Sequence, residues 1–64
     1  MRIKYDKDTD IVYIRFSSLE IVESDQEKPG IILDYAEGGE IVGIEILNAS
    51  KKMDEEKGIL YEVA

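Results

Sequence analysis

Apolar and polar residues alternate with a period of two through most of this chain, and this pattern constrains its fold more than any other feature. The alternation runs through residues 2–5, stops in the polar stretch 6–10, and resumes through residues 11–16. Successive side chains of a strand lie on opposite faces of a sheet, so the pattern predicts a β-hairpin with a loop of about five residues.

Three further strands are predicted after this hairpin. Residues 19–23 read as a strand that fades through residues 24–28, before Pro29 and Gly30 interrupt the chain. Residues 31–35 and 40–47 are the next apolar-rich runs, and the turn between them contains Gly38 and Gly39, which tolerate a positive φ. Five short strands with tight connections predict an antiparallel meander.

The last part of the chain predicts a different kind of element. Asn48 is suited to cap a helix over residues 49–57, and Gly58 is suited to end it. Residues 59–63 alternate again and predict a terminal strand. The sequence therefore predicts one small domain over residues 1–64, of the α+β class and mainly β. Its expected architecture is an antiparallel five- or six-stranded meander with one short C-terminal helix.

Both faces of the predicted sheet carry large apolar side chains. The predicted core groups alternate residues of three strands: Val12, Ile14, Phe16, Ile31, Leu33, Tyr35, Val42, Ile44 and Ile46. The opposite face mixes apolar with charged residues, and a solitary meander would leave its apolar surface in water. Either the chain's own tail or a second copy could cover that face. The small size of the chain favours a homo-oligomer, with a dimer preferred.

The candidate interface consists of residues expected on or beside this mixed face: Ile11, Tyr13, Arg15, Val22, Ile32, Asp34, Ile41, Gly43, Glu45, Leu47 and Tyr61. Gly43 belongs to it because a glycine inside a strand marks either a bulge or the close approach of another group, such as Tyr61 or a partner side chain. Replacing Ile32 or Leu47 with lysine is expected to dissociate the oligomer without unfolding each protomer.

Composition argues against several classes of function. The chain has no cysteine, which excludes disulfides and thiolate metal sites, and no histidine, the commonest general base and metal ligand. Its 15 acidic and 8 basic residues give a net charge of −7, which disfavours nucleic acid and suits docking onto a small basic protein. The lack of a long apolar run and of a signal-peptide pattern predicts a cytoplasmic protein without a membrane partner. The abundance of Ile, Glu and Lys is typical of heat-adapted proteins.

Three aspartates in the first predicted loop resemble the start of a calcium-binding loop. Asp6, Asp8 and Asp10 match the opening of an EF-hand, but Ile11 and Ser17 stand where that loop needs a glycine and a glutamate. Aspartates are also ordinary turn residues. The sequence therefore predicts no metal site and no cofactor, and leaves open weak binding of an ion by this loop.

Two further carboxylates bear on catalysis. Asp34 and Glu45 are expected on the mixed face of nearby strands, with Arg15 on the same face. Paired carboxyl groups can act as general acid and base when burial raises one pKa, but an ion-pair cluster is the more common arrangement. The chain is therefore predicted not to be an enzyme. The alternative is a small carboxylate- or metal-dependent enzyme that uses Asp34 and Glu45.

Several strings along the chain resemble one small prokaryotic family. They are Tyr5-Asp6, Asp10-Ile11-Val12-Tyr13-Ile14-Arg15-Phe16, Pro29-Gly30-Ile31-Ile32-Leu33-Asp34, and Gly39 followed by Ile41-Val42-Gly43-Ile44-Glu45-Ile46-Leu47-Asn48-Ala49-Ser50-Lys51. These strings resemble the family catalogued as domain of unknown function 2283, over about residues 3–52. Members usually have Leu where Ile11 or Val12 stands here.

The resemblance implies a free-standing β-meander with a short helix, found in bacteria and archaea. It implies no catalytic or binding residues, because none are assigned in the family. Some relatives resemble the partner gene of small toxin-like proteins, which implies an antitoxin-type role. Together with the residues themselves, this favours a non-catalytic, self-associating interaction module that binds a small basic partner.

Overall fold

The computed structural model describes residues 1–52, which form one antiparallel sheet. Its strands are β1 (Arg2–Asp6), β2 (Ile11–Arg15), β3 (Glu23–Lys28), β4 (Ile31–Tyr35) and β5 (Ile41–Ile46). Their order across the sheet is β1-β2-β5-β4-β3. The predicted mainly-β fold with five antiparallel strands in one sheet is thus confirmed. Strands β3, β4 and β5 pair consecutively, whereas β2 pairs with β5 and not with β3.

The third strand begins later than the sequence predicts. The prediction over residues 19–22 is wrong, because β3 covers Glu23–Lys28 instead. From β2, the chain must pass the ends of β5 and β4 to reach the far edge of the sheet, about 14 Å away at three strand spacings. Residues 16–22 make this crossing. The Arg15 guanidinium fixes its start by donating hydrogen bonds to the carbonyl oxygens of Ser17 and Leu19 at 2.8 and 2.9 Å.

A short 3-10 turn takes the place of the start of the predicted helix. It covers Ala49–Lys51, and Asn48 precedes it at φ 52° and ψ 45° with no side-chain capping bond. A predicted helix starting from a side-chain cap on Asn48 is therefore not observed. The remainder of the predicted helix and the predicted strand 59–63 lie outside the described residues. In the part of the chain that is described, no helix is long and apolar enough to cross a membrane.

Cross-strand register sorts the side chains onto two faces, because residues directly opposite each other point the same way. The apolar face carries two rows across β1, β2, β5 and β4: Tyr5, Val12, Ile46 and Ile31 in one, and Ile3, Ile14, Ile44 and Leu33 in the other. The mixed face carries two rows across all five strands: Lys4, Tyr13, Glu45, Ile32 and Gln26 in one, and Arg2, Arg15, Gly43, Asp34 and Ser24 in the other.

The buried core of the described residues is small. Val12 and Val42 are their only large apolar side chains that are buried, 4% and 0% exposed, together with Ala36 and Ala49. Most predicted core residues are half-buried. Phe16 is 44% exposed and does not belong to the core as predicted, because it follows the end of β2 where the crossing begins.

A β-bulge sits where the sequence has Gly43. Asp34 pairs with Gly43, but the next residue of β4, Tyr35, pairs with Ile41, so that Val42 is the extra residue of β5. The bulge predicted as one reading of Gly43 is therefore present. It also removes Ile41 from the regular alternation that the sequence prediction assumed.

Candidate functional site

A buried carboxylate lies at the centre of the mixed face. Asp34 is 1% exposed and is the only buried charged residue in the described range. The Ser24 hydroxyl on β3 donates a hydrogen bond to Asp34 Oδ1 at 2.6 Å. The Tyr13 hydroxyl on β2 donates one to Asp34 Oδ2 at 3.2 Å. The Asp34 carboxylate on β4 therefore ties β3 to β2 across the intervening strands, and both of its oxygens have a protein donor.

Gly43 lies beside this carboxylate, at a close approach of strands β2 and β5. A Cβ atom at Gly43 would lie 3.7 Å from Asp34 Oδ2 and only 2.8 Å from the Ile14 carbonyl oxygen. Few real Cβ atoms approach a backbone oxygen so closely, so the bare glycine permits the close contact of β2 with β5. Among the described residues, the group that approaches Gly43 closely is strand β2 of the same chain, and Tyr61, the aromatic residue predicted there, lies outside them.

Glu45 completes the cluster from β5. Burial raises the pKa of Glu45 above its ordinary value, and the charge of Asp34 and a hydrogen bond with that carboxyl group raise it further. By register, Asp34 and Glu45 lie on adjacent strands, in neighbouring rows of the mixed face. Burial, followed by the charge of Asp34, also raises the pKa of the Tyr13 hydroxyl. The sequence-based expectation that Asp34 and Glu45 lie on the mixed face of nearby strands is met.

A groove on the same face lies beside this carboxyl cluster, over the β1–β2 hairpin. Its lining residues come from both strands and their loop: Arg2, Lys4, Asp6, Thr9, Ile11, Tyr13 and Arg15. Tyr13 belongs to both the groove and the carboxyl cluster. The groove therefore places three cationic side chains and Asp6 on the same face as the Asp34 and Glu45 carboxyl groups.

The aspartates of the hairpin loop have structural partners. The Asp6 carboxylate accepts the backbone N–H groups of Asp8 and Thr9 at 3.0 and 3.4 Å, which forms the turn. Asp10 Oδ1 accepts the Tyr5 hydroxyl at 2.8 Å, and Asp10 Oδ2 accepts the Ser50 hydroxyl at 2.7 Å.

Asp10 also fixes the 3-10 turn to the hairpin through backbone contacts. Its carboxylate accepts the Ser50 N–H at 3.0 Å, and its carbonyl oxygen accepts the Ala49 N–H at 2.9 Å. The hydrogen bonds from Ser50 and Tyr5 lower the pKa of Asp10. Among the described residues, no group of three or more acidic side chains is arranged to hold a metal ion.

The structure brings seven of the predicted interface residues together on the mixed face. Ile11, Tyr13, Arg15, Ile32, Asp34, Gly43 and Glu45 share that face by register. Leu47 follows β5, and its N–H donates to the Gly30 carbonyl at 2.8 Å. Val22 and Ile41 lie at one end of the sheet, 56% and 46% exposed. Tyr61 lies outside the described residues.

Two residues with clear roles were not found by sequence reasoning. The sequence predicts Ser24 only as part of the weak end of a strand, so its position opposite Asp34 could not be derived. It predicts Asp10 as a turn residue, whereas in the structure Asp10 joins positions forty residues apart in the chain. No local pattern links Asp10 with Ser50, because their contact depends on the long-range pairing of β2 with β5.

Comparison with known proteins gives one match. Neither the curated proteins nor the solved structures include one that matches this chain. The family described as "Protein of unknown function (DUF2283)" matches residues 2–50, which cover all five strands and the start of the 3-10 turn. That range is most of the 64-residue chain. The chain therefore belongs to the DUF2283 family of proteins of unknown function, as the resemblance in its sequence suggested.

Proposed function

We propose that this protein is a non-catalytic interaction module that self-associates through the apolar face of its sheet. The observation that carries the proposal is the small buried core: among the described residues, only Val12 and Val42 are buried large apolar side chains. Eight more on or next to the apolar face are half-buried: Ile3, Tyr5, Ile14, Ile31, Leu33, Tyr35, Ile44 and Ile46. A sheet needs a second layer over such a face to form a stable core.

The width of the sheet supports a second copy as that layer. Five strands at about 4.8 Å spacing make a sheet about 24 Å wide, whereas one helix or strand packed on it covers about 10 Å. A single such element would therefore cover less than half of one face. A second copy of the sheet, packed face to face at about 10 Å, would cover the whole width.

Exposed apolar residues at one end of the sheet extend this surface. Phe16, Leu19, Val22 and Ile41 are between 44% and 56% exposed. Leu19 and Val22 line one shallow groove with Ala36 and Glu40. Clustered large apolar side chains at this exposure are typical of an interaction surface rather than of a solvated loop.

The edge strand β3 supports a further part of the proposal, the binding of a small basic partner. All six residues of β3 are exposed, and Glu23, Asp25 and Glu27 concentrate negative charge there. Such a field increases the rate of encounter with a positively charged protein. An antitoxin-like role towards a small basic protein is our inference for this edge.

Light scattering coupled to size exclusion tests the self-association. We expect a single closed species, and we expect Ile41→Lys and Phe16→Lys to convert it to monomers with an unchanged circular dichroism spectrum. Both positions are nearly half exposed, so the protomer tolerates a charged side chain there. The matched variants Ile32→Lys and Leu47→Lys test the interface that the sequence predicted on the mixed face. Dissociation by the second pair alone would place the contact there and refute the apolar-face interface, and a wild-type monomer would refute self-association.

A second candidate function is a carboxylate-dependent enzyme, favoured by the position of Asp34 and Glu45 in neighbouring rows of one face. Its weakness is that Asp34 is buried and that Ser24 and Tyr13 already occupy both of its oxygens. The test is hydrolysis of a panel of simple ester and phosphoester substrates. Activity that Glu45→Gln abolishes in a folded protein would support the enzyme, and activity that survives this change would exclude a role for the pair.

A further inference from the structure

The cationic groove of the β1–β2 hairpin is not used by the proposed self-association. Arg2 and Lys4 are exposed side chains of β1, and both point to the mixed face, on which Arg15 and Tyr13 of β2 form the neighbouring wall. The apolar face lies on the other side of the sheet. Three basic residues and one acidic residue, Asp6, line this groove, so it is net positive although the chain has a net charge of −7.

The register adds an electrostatic reason to expect an anion in this groove. Arg2 lies directly opposite Arg15, and like charges directly opposite each other on adjacent strands destabilise a sheet. The guanidinium of Arg15 cannot easily turn away, because its Nε and Nη2 atoms are held by the carbonyl oxygens of Ser17 and Leu19. A carboxylate placed between the two guanidinium groups would convert this repulsion into two favourable contacts.

Strand β1 also offers hydrogen-bonding groups at the edge of the sheet. The Phe16 N–H donates to the Val42 carbonyl oxygen, so the even-numbered residues of β2 direct their backbone groups towards β5. The odd-numbered residues of β2 therefore bond to Arg2, Lys4 and Asp6 across the β1–β2 ladder. It follows that Ile3 and Tyr5 direct their N–H and C=O groups outward. Within residues 1–52, β1 has a strand on one side only.

We infer that β1 binds an acidic peptide in extended conformation, which adds to the sheet as a strand. Its backbone would bond to Ile3 and Tyr5, and acidic side chains at every second position would face Arg2 and Lys4. Alternate residues repeat at about 6.8 Å in both strands, so the acidic side chains of the peptide have the same spacing as the basic side chains of β1. The partner is thus chemically distinct from the basic protein proposed for β3.

A binding experiment with defined peptides tests this inference. The probe is a short peptide with glutamate at every second position and valine or threonine between. Matched peptides carry glutamine or lysine in place of glutamate. Fluorescence anisotropy measures affinity at about 20 and 150 mM salt, where screening differs. We expect the glutamate peptide to bind, the glutamine peptide to bind more weakly, the lysine peptide not to bind, and the affinity to fall with salt.

Variants and amide exchange locate the binding. Arg2→Gln and Lys4→Gln should each weaken the glutamate peptide about threefold at low salt. Lys7→Gln makes the same charge change in the exposed hairpin loop, outside the groove, and should have little effect. Hydrogen exchange followed by NMR should show the amides of Ile3 and Tyr5 unprotected in the free protein and protected on addition of the peptide.

Four results would overturn the inference. One is equal loss of affinity in Lys7→Gln, and another is tight binding of the lysine peptide. A third is displacement of the peptide by inorganic phosphate without protection of Ile3 and Tyr5, which would indicate a simple anion site. The fourth is protection of those two amides in the free protein, which would mean that the edge is already occupied.

Discussion

Replacing Gly43 with alanine tests the contact between the two strands at the centre of the sheet. The new Cβ atom would lie 2.8 Å from the Ile14 carbonyl oxygen, which is backbone and cannot rotate away. Strands β2 and β5 would have to separate by about half an ångström in the middle of a ladder, a strain of about 1–3 kcal/mol. Alanine also lowers the conformational entropy of the unfolded chain, and this stabilisation of the folded state offsets about 0.5–1 kcal/mol of the strain. We expect a net loss of about 1–2 kcal/mol.

Urea unfolding monitored by circular dichroism measures this loss. With a slope of about 1 kcal/mol per molar urea for so small a chain, the midpoint should fall by about 1–2 M while the slope stays constant. Protein concentration must be equal in all samples, because self-association contributes to the apparent stability.

Gly38→Ala is the matched control. The Cβ atom at Gly38 would meet only the end of the exposed Glu40 side chain, which can swing away, and Gly38 has no positive φ. Its midpoint should stay within about 0.5 kcal/mol of the wild type. If Gly43→Ala were as stable as Gly38→Ala, the close approach of β2 and β5 would not constrain this fold.

Three further predictions concern the hydrogen-bonded carboxylates. Because the pKa of Glu45 is raised on folding, its contribution to stability is fully present below the pKa of the unfolded chain and is lost as pH rises through the folded value. Urea midpoints should therefore fall from mild acid towards neutral pH. If the midpoint of Glu45→Gln fell with pH as much as that of the wild type, Glu45 would not be the origin of this dependence. Ser24→Ala leaves one oxygen of buried Asp34 without its donor and should lower the free energy of unfolding by about 1–3 kcal/mol, measured by the same urea titration. Asp10→Asn should release the 3-10 turn, seen as faster amide exchange at Ser50 while the amides of the sheet keep their protection.

The strands with an apolar pattern could be predicted closely from the sequence. Residues 31–35 are a strand as predicted, and the run predicted at 40–47 is observed as Ile41–Ile46. Period-two alternation works there because these strands have one face towards the protein interior. The failure concerns β3, whose six residues are all exposed and carry no apolar alternation. The segment forms a strand because it pairs with β4, and this pairing cannot be predicted from a local sequence pattern.

For the candidate site, the sequence predicts which face a residue lies on but not which residues meet. Asp34, Glu45, Arg15 and Tyr13 could be assigned to one face because alternation fixes the face of a residue within its strand. The order of strands decides which of these residues meet, and that order depends on long-range pairing of β2 with β5. Ser24 could not be placed without the position of β3. The bulge at Val42 then moved Ile41 out of the predicted set.

The strand order has a consequence for how this chain reaches its native state. Strands β3, β4 and β5 are joined by short turns, as are β1 and β2, so each group can form from neighbours in sequence. The seam between these two groups is the pairing of β2 with β5, which aligns Arg15 with Gly43. It forms only after the segment between them has closed into a long loop. Long loops close more slowly than hairpins, so we expect docking along this seam to limit the folding rate. The same seam would allow the first hairpin of one molecule to dock onto the three-stranded unit of another at high concentration.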